Sequence, residues 1–362
     1  MTEPIVAPEL SDLFRSFADE VRSSPLYMRL CPLLADLPTA MTMMSRATTM
    51  QRRPNLLLAA LHASLLRDAA HPLAEWFPTV GGVRSPDDGR LSDALADFVS
   101  QRADELQHLV ARGATQTNEP GRSGVLFPAL ADIAADAGPI GLVEVGASAG
   151  LNLRLDSYQY TYQLSDSVAR FGNPETAVHI QCDASQSVTR LPLDNMRSLH
   201  LGYRSGVDLN PLDVDDELQA RWLQALVWPD EPGRCSRLGA ALALARTLPV
   251  SVRQGDAVDS IEALIAEVPE TLRPVIVTTW VMTYLPPDRR VAFCDAVKRI
   301  GATRPLTWLF MEHPSYAAEL PFPEAIGSPV GTPVVRFDLD GGAHSSKQLA
   351  ETHPHGTWMI WH

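Results

Sequence analysis

Cysteine is scarce in this sequence, with four in 362 residues. Cys31, Cys182, Cys235 and Cys294 lie far apart and form no C-x-x-C pair, so neither a zinc centre nor a disulfide framework is expected, and reduced structural thiols are. No group of residues has metal-ligand spacing, so no metal is expected either. No apolar run reaches transmembrane length, and the first residues, Met1-Thr2-Glu3-Pro4, carry an acid where a secretory signal carries Lys or Arg. The expectation is a cytoplasmic protein with no membrane contact. Positive charge is also short: 30 Lys and Arg stand against 43 Asp and Glu, for a formal charge of -13. With no basic patch to offset it, that field repels phosphate backbones and anionic lipid. No nucleic-acid partner is expected, and a small molecule is favoured as substrate. Internal repeats are absent as well.

What is present is ordinary globular composition, 45% hydrophobic and 20% charged, in a chain long enough for two domains. From Leu10 to about Ala137 apolar residues recur at helical spacing: Leu13, Phe14 and Phe17, then Leu56, Leu57, Leu58, Leu61 and Leu65, then Leu91, Leu95 and Phe98. Ser24-Pro25, Arg53-Pro54, Gly81-Gly82 and Pro86 break the pattern. After Gly138-Pro139 short β-branched runs alternate with helical stretches, as in a parallel α/β sheet. The expected domains are therefore 1–137, helical, and 138–362, α/β. Seven strands are expected: Ile140 to Val145, Ser205 to Leu209, Val250 to Arg253, Pro274 to Thr279, Leu306 to Met311, Val334 to Phe337 and Thr357 to Trp361. An insertion at about 158–204 exceeds what a βαβ crossover needs, and the alternation of Tyr158, Tyr160 and Tyr162 with Val178, Ile180 and Cys182 predicts a two-stranded ribbon there.

The chemistry centres on Glu144-Val145-Gly146-Ala147-Ser148-Ala149-Gly150. An apolar strand runs directly into this stretch, its small residues permit a tight turn, and a helix is expected beyond it, so Gly146, Ser148 and Gly150 would let a ligand approach the backbone closely. In a nicotinamide-binding G-x-G-x-x-G the second glycine falls on Ser148 and the third on Leu151, which weakens that reading. A tight turn without a ligand is the plainer alternative. Acids follow at two further strand ends, Asp208 and Asp256. Asp256 is equally suited to cap the apolar helix that begins after it, and Asp213, Asp215 and Asp216 read as caps.

Trp280 and Tyr284 follow the fourth strand and could pack over a cationic or apolar ligand, or serve as core aromatics. After the fifth strand comes Glu312-His313, a pair placed for proton removal from a hydroxyl or amine, or else a surface loop. Upstream, Gln116-Thr117-Asn118-Glu119-Pro120-Gly121-Arg122 precedes an apolar helix. Arg122 could pair with a carboxylate ligand or with Glu119, and Thr117 or Asn118 could cap the helix. Gln51-Arg52-Arg53-Pro54-Asn55 poses the same choice.

The Glu144/Gly146/Gly150 pattern resembles the Glu/Asp-x-Gly-x-Gly-x-Gly first motif of class I S-adenosylmethionine-dependent methyltransferases, departing from it at Ser148. The resemblance implies a Rossmann-like seven-stranded sheet behind the N-terminal helical domain, with S-adenosylmethionine as cofactor. It implies that Glu144, Gly146, Ser148 and Gly150 adjoin the cofactor's methionine part, that Asp208 accepts from the ribose hydroxyls, and that Asp256 and the Ala257 amide meet the adenine. Arg122 joins them as a candidate for the cofactor carboxylate, and Trp280, Tyr284 and Asn118 as candidates for the substrate side. The Asn/Asp-Pro-Pro-Tyr/Phe element of nucleic-acid amino methyltransferases is missing from the fourth strand. Gln51 to Asn55, Gln116 to Arg122, Val143 to Leu153, Gly206 to Val214, Arg221 to Pro229 and Tyr284 to Pro286, in this order, resemble the bacterial family called domain of unknown function 2332. The expectation is a methyltransferase acting on a small molecule under a lid of N-terminal helices. A non-catalytic cofactor-binding or interaction protein and a nucleotide-dependent oxidoreductase are the rival readings.

Overall fold

The computed structural model describes residues 7–186, 190–317 and 331–362. The chain forms two compact units, Met1–Thr117 with Asp215–Gly239, and Asn118–Val214 with Ala240–His362. The apolar helix Ser123–Ala137 thus stands in the second unit, with the sheet.

The first unit is helical. Its helices include Ala7–Glu20, Pro25–Ala35, Pro38–Ser45, Pro54–Arg67, Leu91–Gln101, Ala103–Arg112 and the returning Glu217–Ala225. Sequence signals explain their starts: Ser24 accepts from the Tyr27 amide with Pro25 in the first turn, Pro54 opens its own helix, and Asp216 accepts from Leu218 and Gln219. The Pro54–Arg67 helix is apolar almost all round, with Leu56, Leu57, Leu58, Leu61 and Leu65 buried, so it runs through the middle of the core. Two polar side chains of this helix, His62 and Ser64, are buried with them. His62 Nδ1 lies 3.0 Å from the Ala225 carbonyl and Nε2 2.7 Å from the Thr79 hydroxyl. A carbonyl only accepts, so Nδ1 carries the proton and Nε2 accepts from Thr79.

Burial lowers the His62 pKa to about 4, against the opposing pull of the Ala225 and Val227 main chain. The unfolded chain therefore takes up a proton near pH 6.5 that the folded unit refuses until about pH 4, and stability is lost as pH falls through that window. We predict that wild type loses on the order of 3 kcal/mol between pH 7 and pH 4 from this site. In urea unfolding, His62→Asn should reduce the pH dependence; an unchanged slope would refute the assignment.

Among the described residues the second unit carries an eleven-stranded sheet where seven strands were expected. The strands are β1 Ile140–Val145, β2 Gln159–Gln163, β3 Val168–Gly172, β4 His179–Gln186, β5 Leu201–Asp208, β6 Ser251–Gln254, β7 Arg273–Thr279, β8 Leu306–Met311, β9 Thr332–Asp340, β10 Ala343–Thr352 and β11 Trp358–Trp361. Their order across the sheet is β3-β2-β4-β11-β10-β9-β8-β7-β1-β5-β6. The run β8-β7-β1-β5-β6 is parallel, and β8 to β11 continue it as an antiparallel meander.

Two differences from expectation have physical causes. The insertion forms three strands rather than a two-stranded ribbon: β2 and β4 are parallel neighbours, β3 pairs with β2, and β4 joins the main sheet through β11. β3 is a mostly exposed edge and lacks the apolar alternation that announces a strand. β10 was missed because its first half, His344 to Lys347, is polar and largely exposed. The Gly341-Gly342 pair, both at positive φ, makes the two-residue turn from β9.

Both faces of the central strands are covered, as parallel strands require. Val143, Val145, Ile276, Trp308 and Phe310 share one apolar cluster with Ile261 and Leu264 of the Ala257–Glu267 helix and Phe293 and Val297 of the Pro287–Thr303 helix. On the other face Arg336 of β9 reaches Asp132 and Asp136 of the Ser123–Ala137 helix, at 3.4 and 2.7 Å. Glu144 points to that second face.

Candidate functional site

After β2, β3 and β4 at the far edge of the sheet, the chain lays β5 and β6 on one side of β1, then β7 and β8 on the other. In an open parallel sheet such a reversal parts the connections beyond the strands' carboxyl ends and opens a ligand crevice. Glu144, the Gly146–Gly150 turn, Asp208, Trp280 and Glu312 all stand at those ends, within the second unit.

The turn after β1 is built from left-handed residues: Gly146 at φ 72°, Ser148 at 53° and Gly150 at 67°. At Ser148 this costs about 1–2 kcal/mol that glycine would not incur. The turn lies against its neighbours so closely that a Cβ on Gly146 would come within 2.2 Å of Val281, and one on Gly150 within 2.9 Å of Val252. Three groups hold it. The Val207 carbonyl accepts from the Gly146 and Ala147 amides at 2.8 and 3.1 Å. Asp208 accepts from the Ser148 amide at 2.8 Å through Oδ2 and from the Asn210 amide at 2.8 Å through Oδ1. Arg154 is buried and donates to four carbonyls: Gly150 at 2.7 Å, Ala149 at 3.1 Å, Leu248 at 2.6 Å and Ala245 at 3.3 Å.

Beyond the turn the expected helix is only a six-residue 3-10 segment, Asn152–Ser157. Asn152 is turned back under the turn, where its Nδ2 donates to Glu144 Oε1 at 2.8 Å. Glu144 Oε2, Asn152 Oδ1 and Ser148 Oγ are buried and have no hydrogen-bond partner among the described residues. Burial raises the Glu144 pKa to about 8, opposed by the Asn152 bond and the Arg122 charge and reinforced by Asp208. Burying polar groups this way is costly, and two of the three unpaired atoms are acceptors.

At the neighbouring strand ends, Trp280 follows β7 at φ 58°, and its Nε1 is buried without a partner among the described residues. Glu312 follows β8 and is fully buried. Its Oε2 accepts from the Met282 amide at 2.6 Å, and Oε1 has no partner among the described residues. Burial raises its pKa to about 7, opposed by the main-chain amides of the 281–283 turn and by the Thr278 hydroxyl. His313 faces outward, with Nδ1 2.7 Å from the Ser315 hydroxyl, and Tyr284 is half exposed.

The segment ahead of the helix joins this region. Asn118 accepts from the Leu151 amide at 3.0 Å rather than capping the helix, and Glu119 accepts from the Gly121 amide at 2.8 Å. Arg122, buried, donates to the Thr279 carbonyl and hydroxyl, both at 3.3 Å, and to the Pro354 carbonyl at 3.1 Å. Asp256 caps the helix that starts at Ala257, accepting from Val258 and Asp259 through Oδ1, and pairs with Arg289. Gln51, in the first unit, accepts from the Thr115 amide and hydroxyl.

The sequence reading missed Asn152 and Arg154. Their signal is two polar residues alternating with Leu151, Leu153 and Leu155 in an otherwise buried stretch. It also missed Thr279, which meets Arg122 with its carbonyl and hydroxyl, and Pro354, whose part is played by a main-chain carbonyl that no pattern marks. Among the described residues no group of three or more His, Cys, Asp or Glu is disposed to hold a metal, and no helix is long and apolar enough to cross a membrane.

These features define a mixed α/β protein with a candidate ligand crevice at a reversal of strand order. The chain belongs to the family described as "Uncharacterized protein conserved in bacteria (DUF2332)", whose model matches residues 11–361. No curated protein and no solved structure matches it.

Because the folded protein keeps the Glu144 proton up to about pH 8 while the unfolded chain releases it near 4.5, this site costs stability as pH rises through that window. Glu144→Gln, whose amide can donate to Asn152 Oδ1, is expected to exceed wild type in stability at pH 8 by on the order of a few kcal/mol. The gain should vanish at pH 4.5, by denaturant titration; equal stability at both values would refute it.

Proposed function

We propose that this protein is an S-adenosylmethionine-dependent methyltransferase acting on a small molecule, with the cofactor in the crevice of a Rossmann-like sheet. The observation that carries the reading is the buried trio under the glycine turn, Glu144 Oε2, Asn152 Oδ1 and Ser148 Oγ, without partners among the described residues. Two unpaired oxygens, one of them on a carboxyl group that accepts once its proton is displaced, suit a cationic donor, and the ammonium of the cofactor's methionine part is one.

The donor set disfavours a dinucleotide. A diphosphate needs an α-helix N-terminus after the turn, and a short 3-10 segment stands there. Asp208 beside the turn would also repel it. In this reading Gly146 and Gly150 admit the methionine part, and Asp208, at the end of β5 beside the turn, takes the ribose hydroxyls. Asp256, which caps through Oδ1, offers Oδ2 to the adenine amine beside the Ala257 amide. Leu209, a large apolar side chain 66% exposed just past Asp208, gives the adenine a surface. The bound cofactor supplies an electrophilic methyl group; the protein's part is to orient it and exclude water.

Calorimetric titration of the full chain with S-adenosylmethionine tests this. Because the cation must displace the Glu144 proton, binding at pH 7 should release close to one proton, and affinity should rise with pH up to about 8, by at most tenfold per unit. Glu144→Gln should flatten the dependence. Ser148→Gly should relieve the left-handed strain and remove the unpaired hydroxyl, stabilising the protein by about 1 kcal/mol while weakening cofactor binding several-fold. Failure of well-folded protein to bind would sink the proposal, as would tight binding by NAD instead.

A further inference from the structure

We propose that Glu312 and Trp280 form the acceptor half of this site, and that the acceptor is a small molecule whose nucleophile carries a proton, an amine or hydroxyl, next to an oxygen. This rests on the methyltransferase reading above. Thr279 of β7 and Met311 of β8 are the last paired residues of their ladder, so Trp280 and Glu312 are the first side chains beyond it, on adjacent strands at one crevice.

Each presents one buried polar atom without a partner among the described residues, and the two are complementary in kind: Glu312 Oε1 accepts, Trp280 Nε1 donates. A ligand that satisfies both offers a hydrogen to the carboxylate and an oxygen to the indole. Both atoms are held in place. The Met282 amide anchors the other oxygen of Glu312, and Trp280 is kept left-handed at the start of the turn that supplies that amide.

The chemistry follows from the geometry. The nucleophile's lone pair forms the bond to the methyl carbon, the carbon–sulfur bond of the sulfonium breaks with its electrons remaining on sulfur, and the nucleophile's proton passes to Glu312 Oε1. Glu312 must begin as a carboxylate, and its raised pKa of about 7 suits a base working near neutrality. Among the described residues, the other charged and titratable groups around the 280–284 turn include Tyr284 within it, Arg122, which donates to Thr279, Arg290, whose Nε donates to the Met282 and Leu285 carbonyls, Tyr316 under that guanidinium, and exposed His313. His313 bonds Ser315 and is not the base in this scheme.

Two measurements on the full chain decide the matter. In the free protein, the carboxylic-acid infrared band of wild type minus Glu312→Gln should titrate with a midpoint near 7. A midpoint in the ordinary carboxylate range would overturn the proposal. Second, methyl-labelled S-adenosylmethionine is incubated with a panel of primary amines, phenols, α-hydroxy acids and α-amino acids. Label should enter panel members that pair the nucleophile with a neighbouring oxygen, with a rate rising to a plateau above pH 7. Glu312→Gln should bind the cofactor as wild type does and lose transfer at least a hundredfold, while Trp280→Phe should raise KM about tenfold with kcat largely kept. Cofactor binding with no label in any panel member, or a Glu312→Gln protein that transfers normally, overturns this inference and leaves the cofactor reading standing. No cofactor binding by wild type overturns both.

Discussion

The turn after β1 is buried, and its main-chain polar groups must be satisfied there. Asp208 and the Val207 carbonyl take its amides, and Arg154 takes its carbonyls. An unpaired buried amide or carbonyl costs about 1–3 kcal/mol, so the two charged side chains that close these gaps hold the turn in its left-handed path. Arg154 suits the task because its planar fork reaches four carbonyls at once, which a lysine could not.

That clamp has a consequence for the acids. With the turn pinned over β1, Glu144 lies beneath it, cut off from water and only half satisfied by Asn152. Glu312 is similarly enclosed by the 280–284 turn. Both carboxyls are thereby moved from the ordinary range toward neutrality, by burial first and local bonds second. Groups kept at such a cost in stability are where function concentrates, because the protein gains nothing from them in folding.

Much of this region was legible before the structure was in hand. Ile140 to Val145 reads as a buried strand, and Gly146 and Gly150 read as a turn, because only residues free of a Cβ adopt those angles at those contacts. Asp208 and Asp256 both stand at strand ends in the sequence pattern, and the Asp256 cap is legible there too, but the bond by which Asp208 ties down the turn is one that spacing cannot show. Arg122 was singled out as a carboxylate partner, while its guanidinium reaches the Thr279 and Pro354 carbonyls, residues 157 and 232 positions away in the chain. The extra strands escaped notice for the opposite reason. β3 and the first half of β10 are exposed, and an exposed strand has no apolar period to betray it.

The sequence by itself determined the local elements and the glycine turn, because helix caps, turn residues and apolar periodicity act over a few neighbours and are written where they act. It also set the acidic balance, 43 Asp and Glu against 30 Lys and Arg. The tertiary structure alone decided which polar groups lack partners. Satisfaction of a buried carboxylate depends on main-chain atoms brought from distant parts of the chain, and no spacing rule records where those atoms come to rest.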